Sequence, residues 1–536
     1  MPSLSRRTML SGGLALGGTA LLGRKDGASP WLDENPQREV LAIGRGDVRY
    51  PSLTRGQNQR FTSTPESVLL PRCTADVVQV VNSAVCGGRK ITVRSGGHCY
   101  EDFVDQPGVQ VVIDMSDINS VEFDTERNAV AVGAGATLGQ VYSTLFRRWG
   151  VTLPGGACYS VGVGGHVTGG GYGHLSRLYG LIADHMCAVE VVVVDAGGRA
   201  RAVVATRDDA DPRRDLWWAH TGGGGGSFGV VTRYWFRSPG SIGSDPRRLL
   251  PAPPVDVWVS SLEWPWDDFT YERFHRLVHN YGVWHERNSA VDSPAAGLAA
   301  RLEITPRPGG PFSMGLQMDA TAPESERITR DFLAAVNEGV GVEPAVTEFR
   351  KVPWLQSTGW PGLWASVPTD RYKYMSSYHR RSLTDPQIAG LYRGLTETDY
   401  DNPLFAVSMA GHGGKVNALA PSSTAEPHRD SVMKLLWGTG WTSSNEDQKH
   451  IGFHRNLYRA VYADTGGVPV PNLVTDGCFI NYADSGLSDS AWNTSGVPWH
   501  DLYFTTNYSC LQRVKARWDP GDVFRHAQSI RLPGTA

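Results

Sequence analysis

Two glycine-rich segments of this chain each carry a nucleophilic side chain. His98 stands in Arg94-Ser95-Gly96-Gly97-His98-Cys99-Tyr100, and Cys158 follows in Pro154-Gly155-Gly156-Ala157-Cys158-Tyr159-Ser160. The second segment runs on through Gly162, Gly164, Gly165 and His166 to Gly169, Gly170, Gly171 and Tyr172. Glycine lets a backbone turn sharply and approach a ligand closely. Successive amides beyond a strand that ends in Arg94-Ser95 form a nest suited to a pyrophosphate. A lone histidine is most often a hydrogen-bonded core residue, and a lone cysteine a small buried hydrophobe. One nucleophile in each of two such loops points instead to a large, anionic, electrophilic cofactor gripped from two sides.

Two other strings imitate different chemistry. Gly225-Gly226-Ser227-Phe228-Gly229 satisfies the G-x-S-x-G nucleophile elbow, and Gly224, Gly226 and Gly229 satisfy G-x-G-x-x-G. Each motif needs a strand before it and a helix after it. Here Asp215 to Ala219 reads as a helix and Val230 to Trp235 as a strand, so the order is reversed. A serine hydrolase using Ser227 is therefore the rival from another class, not the leading reading.

The elements that position these loops alternate from residue 60 to 240. Thr74 is a candidate cap for a helix bearing Val77, Val78, Val80 and Val81, ended by Gly87-Gly88. Ile91 to Val93 reads as a strand entering the first glycine loop, with further strands at Val109 to Ile113 and Ala129 to Val132. Thr137 and Gln140 match a capping box, opening a helix with Leu138, Val141 and Leu145 that stops at Gly150. Ala188 to Val194 and Ala200 to Ala205 read as a hairpin across Asp195-Ala-Gly-Gly. Pro251-Ala-Pro-Pro254 marks a boundary. Beyond it, alternating strands at Val255 to Leu262, Leu298 to Thr305 and Met314 to Ala320, and a helix over 324–340, predict a sheet covered by helices. Short strands mixed with helices give an α+β fold.

A chain of 536 residues predicts two domains. A net charge of −3 offers no basic field for nucleic acid. The seven cysteines form no CxxC pair, so neither a zinc site nor a disulfide framework is indicated. Ser5-Arg6-Arg7 before an apolar run to Leu22 reads as a twin-arginine export signal over residues 1–30, and that run is too short to span a membrane.

The strings around His98, Cys158, Asp215 to Thr232 and Ile480-Asn481-Tyr482-Ala483-Asp484 resemble the FAD-linked oxidases of the berberine-bridge-enzyme type. Within that family they resemble the subgroup whose flavin is attached through both a histidine and a cysteine, and its bacterial antibiotic-tailoring members more than its plant ones. The resemblance implies a PCMH-type FAD-binding domain of two subdomains over 45–240. It further implies a substrate domain over 250–475, with an antiparallel sheet covered by helices, and a segment over 476–536 that returns to the FAD domain. FAD would be covalently held by His98 and Cys158. Arg94, Ser95, Gly96, Gly97, Cys99 and Tyr100 would lie along it, as would Gly155, Gly162, Gly164, Gly165, His166 and Gly169 to Gly171. Gly226, Phe228, Gly229, Val230 and Val231 would close around it, and Tyr482, Asn507 and Tyr508 would reach it from the C-terminal segment. Cys510 stands where the family usually has an arginine. Tyr482 would be the catalytic base, aided by Tyr172. The implied reaction is oxidation of a hydroxyl on a bulky, glycosylated secondary metabolite by hydride transfer to FAD, with dioxygen reduced to hydrogen peroxide. The alternative within the family is oxidative cyclisation or dehydrogenation to a carrier. Substrate and dioxygen are the expected partners, with neither nucleic acid nor membrane.

Overall fold

Short β-branched runs between glycines build the first half of the chain into two small sheets. The computed structural model describes residues 39–359 and 370–534, so the export signal expected over 1–30 lies outside the described residues. Leu41–Gly44, Ser67–Leu70, Val111–Asp114 and Ile91–Arg94 form a four-stranded sheet in that order. Ile91–Arg94 runs parallel to Val111–Asp114, which brings the chain out at Ser95 beside Met115. A five-stranded antiparallel sheet follows, in the order Val121–Asp124, Ala129–Gly133, Val230–Phe236, Met186–Val194 and Ala200–Thr206. Helix Thr74–Cys86 touches strands of both sheets, burying Val77, Val80, Val81 and Ala84.

Local signals hold where no distant partner competes. Helix Leu138–Trp149 stops at Gly150, whose φ of +68° favours glycine. Its expected capping box is half made. Thr137 accepts from the Gln140 amide, but the Gln140 side chain donates to the Asn119 carbonyl at 2.8 Å. Thr74 is not the cap of its helix: Cys73 holds that position, and the Thr74 hydroxyl donates to Glu190 at 2.6 Å. The strand expected from Val109 begins at Val111.

The remainder builds a seven-stranded antiparallel sheet. Its order is Ala345–Pro353, Asp256–Trp264, Phe312–Asp319, Leu298–Ile304, Ala406–Gly411, Met433–Trp441 and Arg371–His379. Helices Tyr271–Arg287, Ser325–Asn337, Asp385–Thr396 and Asp447–Val461 pack in neighbouring pairs over it. Side chains alternate along a strand. Leu302, Met409, Leu435 and Trp437 accordingly enter the core, while Arg301, Ser408, Ala410 and Lys434 face a cavity.

The chain ends against its first half. On helix Tyr508–Trp518, the buried Lys515 ammonium donates to the Ser227 carbonyl at 2.8 Å, to Asp519 at 2.6 Å and to the Phe524 carbonyl at 2.6 Å. This anchors the loop before strand Val230–Phe236.

Candidate active site

Both glycine loops and one face of the large sheet enclose a cavity of about 390 Å³. The first loop is fixed at its base. Arg94 pairs with Asp114 at 3.0 Å and donates to the Leu53 carbonyl at 2.6 Å, and the Ser95 hydroxyl donates to the Ala134 carbonyl at 2.6 Å. Gly96 lies so close to Gly162 that a β-carbon on either would collide with the other loop. The amides of Gly97 and His98 have no acceptor among the described residues, leaving adjacent donors for an anion.

The second loop is folded by its own histidine. The Gly156 amide donates to His166 Nε2 at 3.0 Å, and the Tyr142 hydroxyl donates to the Gly156 carbonyl at 2.7 Å. Burial, with Lys434 nearby, pushes His166 down to about 4, so its ring is neutral and able to accept. This fold brings Cys158 towards His98. The Ser160 hydroxyl oxygen lies 2.8 Å from His98 Nε2 and 3.5 Å from Cys158 Sγ. Burial pushes His98 down to about 4 as well, so its imidazole is neutral and keeps a nucleophilic lone pair near pH 7.

A third wall carries the phenols. Tyr482 closes the short 3-10 turn Ile480–Tyr482, which is tied to the second loop by Asn481 donating to the His166 carbonyl at 2.9 Å. Its ring stacks on Tyr100 at 5.5 Å between centroids, and Tyr100 stacks on Tyr374 at 4.6 Å. Lys434 Nζ sits 3.8 Å from the Tyr172 ring centroid, 4.5 Å from that of Phe479 and 4.7 Å from that of Tyr482. It is buried with no hydrogen-bond partner among the described residues. Burial pulls Lys434 down to about 7 and pushes Tyr482 up to about 12, and the Arg301 guanidinium pulls Tyr482 back down. The Tyr172 hydroxyl donates to the Gly411 carbonyl, so it is engaged rather than poised to take a proton. Behind these walls the buried Lys373 ammonium bridges Glu101, just past His98, and Asp484, just past Tyr482, the latter at 2.5 Å.

The known proteins that this chain is similar to fit that layout. The FAD binding domain family matches residues 65–202, and the family described as berberine and berberine like matches residues 478–531. The aclacinomycin-N/aclacinomycin-A oxidase of Streptomyces galilaeus is 46% identical over 99% of both chains. The chain belongs to the berberine-bridge-enzyme-like family of FAD-linked oxidases. The hexose oxidase of Chondrus crispus is 30% identical, covering 93% of this chain and 97% of its own. A glycopeptide hexose oxidase solved in complex with teicoplanin superposes with a TM-score of 0.88, at 46% identity, over 92% of this chain and 99% of its own. The fold is thus the PCMH-type FAD-binding fold in its α+β setting. This berberine-bridge-enzyme-like oxidase is an FAD-dependent oxidoreductase acting on CH–OH groups with oxygen as acceptor.

The cavity of this oxidase suits FAD: it has unpaired amides at Gly97 and His98, and at Gly165 a β-carbon would meet nothing within 4 Å. Of the residues expected along the cofactor, Arg94, Ser95, Gly97, His98, Cys99 and Tyr100 line the cavity from the first loop. Cys158, Gly162, Gly164, Gly165 and His166 line it from the second. Tyr172, Gly226, Gly229, Val231 and Tyr482 complete the expected set that lines it.

The others stand off the wall. Gly96 is pressed against Gly162 and Gly155 against Tyr142, while Gly169 packs on Asn481, Gly170 on Glu426 and Gly171 on Ile182. Phe228 and Val230 are core residues. Asn507 does not reach the cavity either, because its amide donates to the Pro421, Thr424 and Ala425 carbonyls at 2.9, 3.1 and 3.4 Å. Tyr508 stacks on His500 at 3.8 Å, and its hydroxyl accepts from the Arg531 amide. Cys510 accepts from Arg513 on the same helix. Ser227 does reach the cavity, but its hydroxyl accepts from the Ile530 amide at 3.2 Å, and it stands between the helix Arg214–Ala219 and the strand Val230–Phe236, the reverse of a nucleophile elbow.

Lys434, Arg301 and Tyr374 also line the cavity and Ser160 bridges its two nucleophiles, though no motif marks them. For Lys434 a signal existed: one charged residue in the largely apolar strand Met433–Trp441.

Proposed function

We propose that this oxidase binds FAD through covalent bonds to His98 and Cys158 and oxidises a hydroxyl of a bulky, glycosylated natural product. The observation that carries the reading is the junction of three features in one cavity: two nucleophiles within reach of a single hydroxyl, and a phenol on the neighbouring wall. The aclacinomycin and glycopeptide-hexose specificities of relatives at 46% identity support the substrate class. FAD, when bound, supplies the hydride acceptor, and dioxygen carries the electrons away as hydrogen peroxide.

Tyr482 is placed to take the substrate hydroxyl proton. Burial holds the Tyr482 proton up at about 12 with the Arg301 guanidinium already pulling it down, which leaves the neutral phenol a poor base. Lys434, when protonated, presents a second positive charge 4.7 Å from the Tyr482 ring and favours the phenolate further. Tyr100 stacks along Tyr482 and fixes the plane of its ring. Tyr172, tied to Gly411, shapes the pocket and shares Lys434. Two covalent tethers relieve the protein of closing over the cofactor, which leaves room for a large substrate. We also propose that the chain is exported through the twin-arginine signal at Arg6-Arg7, to be tested by sequencing the N-terminus of protein recovered outside the cell.

Tyr482→Phe tests the base. Anaerobic reduction of the flavin by a glycosylated substrate, followed near 450 nm, is expected to slow by about 10²- to 10⁴-fold with flavin content unchanged. Reduction at the wild-type rate would remove Tyr482 from that role. Steady peroxide formation under air separates the oxidase reaction from dehydrogenation to a carrier.

A further inference from the structure

We propose that Ser160 is the proton-transfer residue for flavin attachment, its single hydroxyl serving both His98 and Cys158. The inference rests on the two-point linkage proposed above and assigns a role to a residue outside the two nucleophiles. The geometry is specific. Ser160 Oγ lies 2.8 Å from His98 Nε2 and 3.5 Å from Cys158 Sγ, so one oxygen spans two loops that are otherwise joined by the Gly96–Gly162 contact.

Each linkage replaces a C–H bond on the flavin's dimethylbenzene edge with a C–N bond to His98 or a C–S bond to Cys158. Two electrons per linkage enter the flavin and pass to dioxygen, already the acceptor of this oxidase, which leaves as hydrogen peroxide. Two protons leave, one from the carbon and one from the attacking side chain, and dioxygen takes up two with the electrons to form the peroxide. It is the proton from the side chain that needs a path.

For His98, a neutral ring with hydrogen on Nε2 donates to Ser160 and leaves the Nδ1 lone pair free to attack. Attack at Nδ1 makes the ring cationic, and the Nε2 proton passes to Ser160 Oγ as Ser160 gives up its own hydroxyl proton to water. The alkylated ring then carries a lone pair on Nε2. The Ser160 hydroxyl turns to donate to it, and its oxygen becomes free to accept from the Cys158 thiol. The thiolate, not the thiol, is the nucleophile. As the sulfur attacks, its proton passes to Ser160 and the hydroxyl proton passes to His98. Burial keeps the free His98 ring neutral near pH 7, which supplies the Nδ1 lone pair for the first bond; the proton that Nε2 takes up in the second step is passed on to water.

The test follows linkage state in the FAD-loaded full chain, sampled from the onset of expression and again after purification. Protein is denatured and digested, and mass spectrometry counts peptides joined to flavin at His98, at Cys158 or at both. In Ser160→Ala, both bonds are expected to form at least about tenfold more slowly than in wild type, so that chains with one linkage or none accumulate early in expression. Ser160→Thr, which keeps the hydroxyl, is expected to restore double linkage. Ser160→Gly removes the same hydroxyl and replaces the alanine variant should that one not load flavin. Double linkage as fast and complete in the hydroxyl-free variant as in wild type would overturn the proposal and leave the two-point reading standing. Wild-type chains with no flavin-linked peptide would overturn both.

Discussion

The loop wall and the sheet wall of the cavity are built on opposite principles. The loop wall is backbone. Gly96 and Gly162 touch, Gly97 and His98 offer bare amides, and His166 is spent on holding Gly156. The sheet wall is side chains: Arg301, Lys434 and Tyr374 project from strands into the space that the loops leave open. Backbone contacts tolerate almost no change in side-chain volume, whereas a sheet face exchanges residues at fixed geometry. The loop wall is accordingly suited to gripping a constant cofactor, and the sheet wall to adjusting charge and shape around a variable substrate.

Gly96→Ala strikes the loop wall hardest. Its β-carbon would meet the Gly162 backbone, where no side chain can yield. Flavin content is expected to fall to near zero, with stability lowered by about 3 kcal/mol or more, read by absorbance near 450 nm and thermal unfolding. An alanine variant that loads flavin normally would break the distinction between the walls.

Lys434→Met strikes the sheet wall and should spare the fold. Turnover is expected to drop about 10- to 100-fold through loss of the cation beside Tyr482, with flavin retained. Stability should move the other way. The folded protein holds the Lys434 proton only up to about 7, against an ordinary value of 10.5, so the unfolded chain binds more protons between those values. The lysine therefore costs stability in full below pH 7, and that cost fades as pH rises towards 10.5. The methionine variant is expected to unfold at a higher temperature near pH 7, by about 1–3 kcal/mol of stability, and to lose this rise with pH. A destabilised variant would show that the ammonium has a partner.

Lys373→Met sharpens the comparison where the walls are joined. It leaves Glu101 and Asp484 as buried carboxylates without the cation that bridges them, at a cost of about 3–5 kcal/mol. The thermal midpoint should fall accordingly. Ser227→Ala is the smallest expected effect, with turnover unchanged within about twofold, because the Ser227 hydroxyl is engaged by the Ile530 amide although the residue reaches the cavity. Loss of activity there would reopen the hydrolase reading.

The same contrast explains what the chain discloses before folding. The loop wall is legible because its glycines and nucleophiles are contiguous, and strand Ile91–Arg94 and helix Leu138–Trp149 carry their own signals. The sheet wall is not. Lys434 sits at a strand position that ordinarily faces water, and its burial comes from the distant Tyr172, Phe479 and Tyr482 rings. Long-range partners also explain two misplacements. Glu190 takes the hydroxyl of Thr74, and the 421–425 loop takes the amide of Asn507. Ser160 stood in plain view beside Cys158, but only the meeting of the two loops gives it a second partner.

Acid denaturation reads the two-point grip on the flavin independently of any substrate. Purified wild type, His98→Ala, Cys158→Ala and the double variant are precipitated in acid, and the yellow colour is assigned to pellet or supernatant. With both bonds in place, colour is expected in the pellet for wild type and for each single variant, and in the supernatant for the double. Colour released from wild type, or retained by the double variant, would contradict the two-point grip.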